Sequence, residues 1–270
     1  MSQLAINFSP EAAELAAKGA IDFDLFKVPD WDEVVAEAQQ LKPCRVHFPF
    51  QIGAARERPE LERSATLMAR TGSRLFNVHV APSIERFRDF GVADTGSAAL
   101  TAVAQALLSD LQPACERFGA ESVIVENLIY RGEDRGLLRA GVEPATLQTL
   151  VEESGCGLLL DISHARITAA ALNIDPWLYL DSLPTHALRE LHVTGVQPLD
   201  GGLRDHLPFV DDDWRFLDGV VGRIKAGAWP APELVAFEYG GVGPVFNWRS
   251  DEDVIAEQLP RLREKVADLG

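Results

Sequence analysis

The sequence predicts an α/β fold of the (β/α)8 TIM barrel class, laid down as a single domain over residues 1–270. Three observations carry that expectation. Eight short, β-rich apolar runs alternate with eight helical patterns; four of the connections are much longer than the rest; and histidines and carboxylates gather at the carboxyl ends of the runs. In such a barrel every strand-to-helix loop emerges at one face, and that face holds the active site.

The elements follow in order. A first strand from Leu4 to Phe8 leads into the helical pattern "PEAAELAAKG". The second strand, Ile21 to Phe26, is the least regular of the eight, and an open doubly wound sheet is the alternative if it fails. Asp30 then opens "WDEVVAEAQQ" as a helix start. Cys44 to Phe48 is followed by "PELERSATLMARTG", and Leu75 to His79 by "SAALTAVAQALLSDLQPACERFG". Ser122 to Glu126 precedes "EPATLQTLVEESG", where Gly155 marks the helix end. Gly157 to Asp161 is read as a strand buried on both faces, with a loop beginning at Ser163 and His164 before the helix "DPWLYLDSL". Leu188 to His192 and Leu234 to Glu238 complete the set, each followed by a helix: "DDDWRFLDGVVGRIKAG" and "DEDVIAEQLPRLREKVADL". The long connections are "APSIERFRDFGVADTG", "NLIYRGEDRGLLRAGV", "VTGVQPLDGGLRDHLPFVD" and "YGGVGPVFNWRS", after the fourth, fifth, seventh and eighth strands. No Ser/Gly-rich linker or charge run divides the chain, and no fixed-period repeat suggests a solenoid.

Composition narrows the function classes. With 25 Lys plus Arg against 41 Asp plus Glu, the net charge is −16. Such a surface repels phosphate backbones, so nucleic acid is a poor partner. Cys44, Cys115 and Cys156 are odd in number and form no Cys-x-x-Cys pair, which argues against a disulfide framework or a thiolate metal site. The start, "MSQLAINFSP", lacks the basic and apolar regions of an export signal, and no apolar stretch approaches the roughly 18 residues of a membrane span. A cytoplasmic protein, neither exported nor membrane-bound, is expected.

Five of the six histidines lie at or just beyond strand ends. His47, His79 and His192 close their strands, His164 follows "LLLDIS", and His206 sits in the loop after the seventh strand. Glu126, Asp161 and Glu238 hold the same position on three more strands. Any one of these alone reads as a satisfied structural histidine, a helix cap or a salt-bridge partner. Together they force carboxylates onto one rim, which is costly unless a cation sits among them. Neutral imidazoles with carboxylates form a borderline N/O ligand set suited to iron, manganese, zinc or cobalt. On this reading Asp161 aims at a metal and only Ser163 retains a capping role. His186 precedes its strand and is read as structural. Asn127 and Tyr239 each follow a ligand and are candidates for supporting or substrate contacts. Arg131, Arg204 and Arg249 lie on long loops, where they could meet an anion, and "GGVGP" reads as turn glycines rather than a phosphate cradle.

The strand-by-strand order of these ligands resembles that of xylose-isomerase-like barrel metalloenzymes such as endonuclease IV. More closely, "VIVEN", "GCGLLLDISHA", "LRELHVTG", "DHLP…DDDW" and "AFEYGG" resemble the multinuclear non-haem iron-dependent oxidase family. The likeness runs from about Cys44 to the end and is densest between Glu126 and Glu238. It implies a first iron held by His47, His79 and Glu126, and a second held by Asp161, His192 and Glu238, with Glu126 bridging. A third would use His164 and His206. That third site expects Asp-x-His, but "LRDH" places Arg204 where the carboxylate should be, and Asp205 substitutes only if the loop shifts by one residue. Two firm irons and a labile or absent third are therefore expected.

The resemblance implies an oxidoreductase acting on a small molecule or a cysteine-bearing peptide, delivered with a partner protein. A divalent-metal sugar isomerase or epimerase is the alternative, with Glu126 or Glu238 as catalytic base. A metal-dependent phosphodiesterase fits the ligand order but conflicts with the charge, and a non-catalytic metal-binding barrel follows if Arg204 marks decay of the site.

Overall fold

The computed structural model of the chain describes residues 2–55, 60–132, 136–244, 246 and 249–269. The expected helix start at Pro59 and parts of the loops after the fifth and eighth strands lie outside them. In chain order the elements are β1 (Gln3–Asn7), α1 (Pro10–Ala17), β2 (Leu25–Pro29), α2 (Asp32–Leu41), β3 (Cys44–His47), β4 (Gln51–Ile52), α3 (Leu61–Thr71), β5 (Phe76–Val80), α4 (Ser97–Phe118), β6 (Val123–Glu126), α5 (Pro144–Ser154), β7 (Gly157–Asp161), α6 (Ile162–Leu172), α7 (Pro176–Ser182), β8 (Leu188–Val193), β9 (Gly195–Leu199), β10 (Gly202–Leu207), α8 (Asp211–Lys225), β11 (Leu234–Phe237) and α9 (Glu252–Val266).

The chain divides into two units, Met1–His47 with Leu67–Ser73 and Arg189–Gly270, and Phe48–Thr66 with Arg74–Leu188. In the first unit five parallel strands lie in the order β3-β2-β1-β11-β8. In the second, four parallel strands lie in the order β7-β6-β5-β4. All eight expected strands are present. Parallel strands need a crossover, and helices supply it, which is why strand and helix alternate.

One face of each unit's sheet explains how the site is placed. Side chains alternate along a strand, so residues i, i+2 and i+4 share a face. In the first unit Ala5, Leu25, Leu234 and Ala236 pack as a buried cluster. Two residues further along the same face stand Lys27 on β2 and Glu238 just past β11. In the second unit Leu75, Ile124 and Leu159 form the equivalent layer. The same faces continue through Asn77 to His79, and to Glu126 and Asp161. Along these faces β2, β5, β6, β7 and β11 are apolar where they begin and carry a charged or imidazole side chain further along, Lys27 within β2 and the others at or next to the strand ends.

Local signals set the boundaries. Ser9 Oγ accepts a hydrogen bond from Ala12 N to cap α1, with Pro10 in its first turn. Gly155 ends α5 in the left-handed region at φ +73°. The second strand begins four residues later than its sequence suggests. The cause is Asp24, whose carboxylate accepts the Leu4 backbone N–H at 2.6 Å and pairs with Arg263, so Ile21–Asp24 is a connection fixed by side-chain bonds.

The expected loop after the seventh strand is instead an antiparallel hairpin of β9 and β10. Gly195 is required there, because a Cβ would stand 1.9 Å from the Pro208 carbonyl oxygen. α6 was also unexpected: β7 runs directly into it, with no loop at Ser163 or His164. No described helix is long and apolar enough to cross a membrane.

Candidate metal centre

In the second unit the register brings candidate ligands side by side. His79 on β5 pairs with Glu126 on β6 as neighbouring Cα partners, and His79 Nε2 lies 3.2 Å from Glu126 Oε2. His164 Nδ1 lies 3.4 Å from Glu126 Oε1, and His164 Nε2 lies 3.5 Å from Asp161 Oδ2. Glu126, Asp161 and His164 each offer a ligand atom within 4.8 Å of the others, and all three are buried.

The histidines are oriented by the main chain. His79 Nδ1 meets the Phe50 carbonyl at 3.1 Å, and His164 Nδ1 meets the Asn127 carbonyl at 2.8 Å. A carbonyl only accepts, so each Nδ1 carries the proton and each Nε2 keeps its lone pair for a cation. Asn127 performs a second task. Its side chain donates to the Asp161 carbonyl and accepts from the Asp161 N–H, both at 2.9 Å, and so locks the end of β7 against β6. Asn127 is thus a supporting residue of this set.

Asp161 corrects the capping expectation. Its Oδ1 accepts from the backbone N–H groups of Ser163 at 2.7 Å and His164 at 2.8 Å, which makes it, and not Ser163, the N-cap of α6. The cap uses Oδ1, while Oδ2 faces His164 Nε2, so the capping role does not exclude ligation through the other oxygen. His164 stands with Glu126 and Asp161 in this group.

In the first unit His192 on β8 faces Glu238, with Nδ1 3.0 Å from Oε1 but without hydrogen-bond alignment. The rings of His47 and His192 lie 5.4 Å apart between centroids. His206 Nε2 reaches Glu238 Oε2 only at 4.0 Å. Burial alone would raise the Glu238 carboxyl, but His192 outweighs it and holds the group well below the usual carboxylate range.

The fully buried His192 is enclosed on its other edge as well. Its Nε2 lies 2.8 Å from Glu190 Oε1 and 2.5 Å from Lys27 Nζ, and Lys27 forms a buried ion pair with Glu190. Sequence reading missed both partners. Glu190 shares a face with His192 at two residues' distance, and Lys27 became visible only once β2 was placed at "LFKVP".

The third-ion residues lie on an irregular strand. The β9–β10 register slips by one residue between Arg204 and Leu207, and His206 sits at φ +53° within that bulge. The slip thus falls at Asp205 and His206. Arg204 folds back, its Nη1 donating to the Leu203 carbonyl at 3.3 Å, and Arg249 Nη1 donates to the Asp205 carbonyl at 3.0 Å. Among the described residues His206 joins no three-ligand group. Tyr239 is buried and stacks on Phe237 with centroids 5.7 Å apart, which makes it a packing residue.

A crystal structure of a D-tagatose 3-epimerase-like protein matches over 99% of this chain and 98% of its own, with a TM-score of 0.58 at 14% identity. A xylose isomerase-like TIM barrel/4-hydroxyphenylpyruvate dioxygenase fusion protein matches over 98% of this chain and 44% of its own, with a TM-score of 0.53 at 16% identity. At these identities the likeness carries the fold, a (β/α)8 TIM barrel, and not the substrate.

Among sequences, a UPF0276 protein of Caulobacter vibrioides is 34% identical over 94 residues, covering 33% of this chain and 32% of that protein. The aligned chain thus spans about a third of that relative's length. Residues 57–228 match the family model described as RiPP precursor modification enzyme MbnB/TglH/ChrH. That stretch holds His79, Glu126, Asp161, His164, His192 and His206. The chain belongs to this metal-dependent MbnB/TglH/ChrH family of enzymes that modify RiPP precursors, the non-haem iron oxidase family that its motifs resemble.

Proposed function

We propose that this protein is an iron-dependent oxidase that acts on a cysteine-bearing peptide, presented with a partner protein, with dioxygen taking the electrons removed from the peptide. The observation that carries the reading is the buried Glu126, Asp161 and His164 group, with ligand atoms within 4.8 Å of one another and the histidine held to present Nε2. Two carboxylates confined in a buried space favour a cation between them, and the N/O donors suit iron, with manganese or zinc as competitors.

His79, Glu126, Asp161 and His164 would hold iron in the second unit. His47, His192 and Glu238 would do so in the first, with His206 at the margin. When bound, iron supplies the redox chemistry, since none of these side chains transfers electrons to dioxygen by itself. Glu126 and Asp161 offset the charge of the cation. His79 and His164 donate imidazole nitrogen without giving up a proton, because their Nδ1–H groups remain on the Phe50 and Asn127 carbonyls. Of the two carboxylates considered as catalytic, Glu126 stands between two histidines and is assigned as a ligand. Glu238, which His192 holds ionised and therefore weakly basic, is likewise assigned as a ligand rather than as a proton acceptor.

The test uses protein made in iron-rich medium, with metal analysis and Mössbauer spectroscopy before and after oxygen exposure. Cysteine-bearing peptides are present with and without candidate partner proteins. Iron bound to the protein and an oxygen-dependent mass change in a peptide are expected. Full activity under zinc or magnesium would sink the proposal, as would solvent-proton exchange into a sugar without oxygen consumption.

A further inference from the structure

We infer that Lys27 and Glu190 are positioning residues for His192, clamping the Nε2 edge of its ring so that Nδ1 is the nitrogen turned toward Glu238. The inference rests on the proposed use of His192 as an iron ligand.

All three side chains are buried, Lys27 and Glu190 at 4% exposure and His192 at none. Lys27 stands on β2 and Glu190 on β8, with β1 and β11 between them in the sheet order. The strands between contribute Ala5 and Ala236 to the layer below, and the long lysine side chain reaches across to Glu190. Taking two charges out of water costs several kcal/mol for each ion, and an apolar pair of the same volume is often as stable or more so. A role for this ion pair beyond stability is therefore sought in what it touches.

It touches the Nε2 edge of His192, where Glu190 Oε1 at 2.8 Å accepts the Nε2–H and Lys27 Nζ, 2.5 Å from the same nitrogen, donates to Glu190. With that edge fixed, Nδ1 comes to lie 3.0 Å from Glu238 Oε1 without the alignment of a hydrogen bond, an arrangement that suits two atoms sharing a cation. His79 and His164 show the opposite pattern. Each is held by a main-chain carbonyl at Nδ1 and presents Nε2. The chain thus orients the His79 and His164 rings by backbone, and His192 by a buried side-chain pair. A carboxylate behind a ligating imidazole also makes the ring a stronger donor than a carbonyl does.

The experiment titrates the full chain with cobalt(II) alone, whose visible bands report coordination. Wild type, H192A, E190Q and the apolar double variant K27M/E190L are compared, with circular dichroism and melting temperature measured on the metal-free forms. The double variant is expected to melt no lower than wild type, to lose about 10- to 100-fold in cobalt affinity at one site, and to show bands that converge on those of H192A. E190Q, which keeps an oxygen at Nε2, should fall between, losing about 3- to 10-fold. Wild-type affinity and bands in the double variant would overturn the inference. Should that variant fail to fold, unchanged affinity and bands in E190Q overturn it equally. A wild-type protein that binds no cobalt would instead bring down the metal reading itself.

Discussion

Asp161 divides its carboxylate between two tasks: Oδ1 accepts the His164 backbone N–H at 2.8 Å, while Oδ2 faces the Nε2 of the same histidine at 3.5 Å. The residue that starts the helix thus also faces the imidazole carried by the helix's first turn. Substitution separates the two tasks, because asparagine caps as well as aspartate but brings no negative charge. D161N is expected to melt no lower than wild type in chelator and to bind far less iron. D161A should lose the iron and also about 1–2 kcal/mol of stability, the cost of a missing cap. Melting in chelator and iron content of the two variants check this.

Asn127 joins β6 to β7 through two side-chain bonds to the Asp161 backbone. N127A should cost about 2–3 kcal/mol, since it removes both bonds and strands a buried N–H and carbonyl. Urea denaturation of metal-free protein measures the loss, and a cost under about 0.5 kcal/mol would contradict it.

Glu190 makes the metal-free protein sensitive to acid. Burial would raise its carboxyl, but Lys27 and then His192 outweigh burial and hold it at about 2. A depressed carboxylate contributes stability that is complete above its unfolded value and is lost as pH falls toward its folded one. The loss therefore falls between about pH 4.5 and pH 2 and amounts to a few kcal/mol. K27M/E190L lacks this group, so its stability should fall less steeply over that window. Denaturation midpoints from pH 5 to pH 2 provide the comparison.

Gly195 lets the hairpin close over the seventh strand's exit. G195A sets a methyl group against the Pro208 carbonyl at 1.9 Å, and backbone cannot yield as a side chain would. A loss of more than about 2 kcal/mol is expected, with faster proteolysis inside residues 195–207 than elsewhere.

The cysteines should differ in reactivity. Burial pushes the Cys44 and Cys156 thiols up to about 11, and both are almost wholly enclosed. Cys115 is raised less and is only partly buried. In native protein at pH 8, iodoacetamide should label Cys115 first, as read by peptide mass spectrometry; prior labelling of Cys156 would refute the ordering.

The strands and the polar residues at their ends were legible for one physical reason. A strand buried on both faces must be apolar, so a His or Glu at its end stands out against Val, Leu and Ile. This served for His79, Glu126, Asp161 and Glu238. It failed for α6, because "DISHA" carries polar residues that read as loop, although Asp161 supplies the cap and "ARITAAAL" is helical by composition. It failed also for Lys27, whose charge made "LFKVP" look unlike a core strand. The partner that allows a buried lysine, Glu190, lies more than 160 residues away in sequence. Pairing over such distances has no local pattern to read.

The absence of any connecting residue between β7 and α6 restricts how this protein can change. A helix turns about 100° per residue, so one inserted amino acid at the junction would swing His164 a quarter of a turn or more away from Asp161. New specificities can therefore be written into the β9–β10 hairpin or the other long connections, but not at this seam, which evolution and engineers alike must leave uncut.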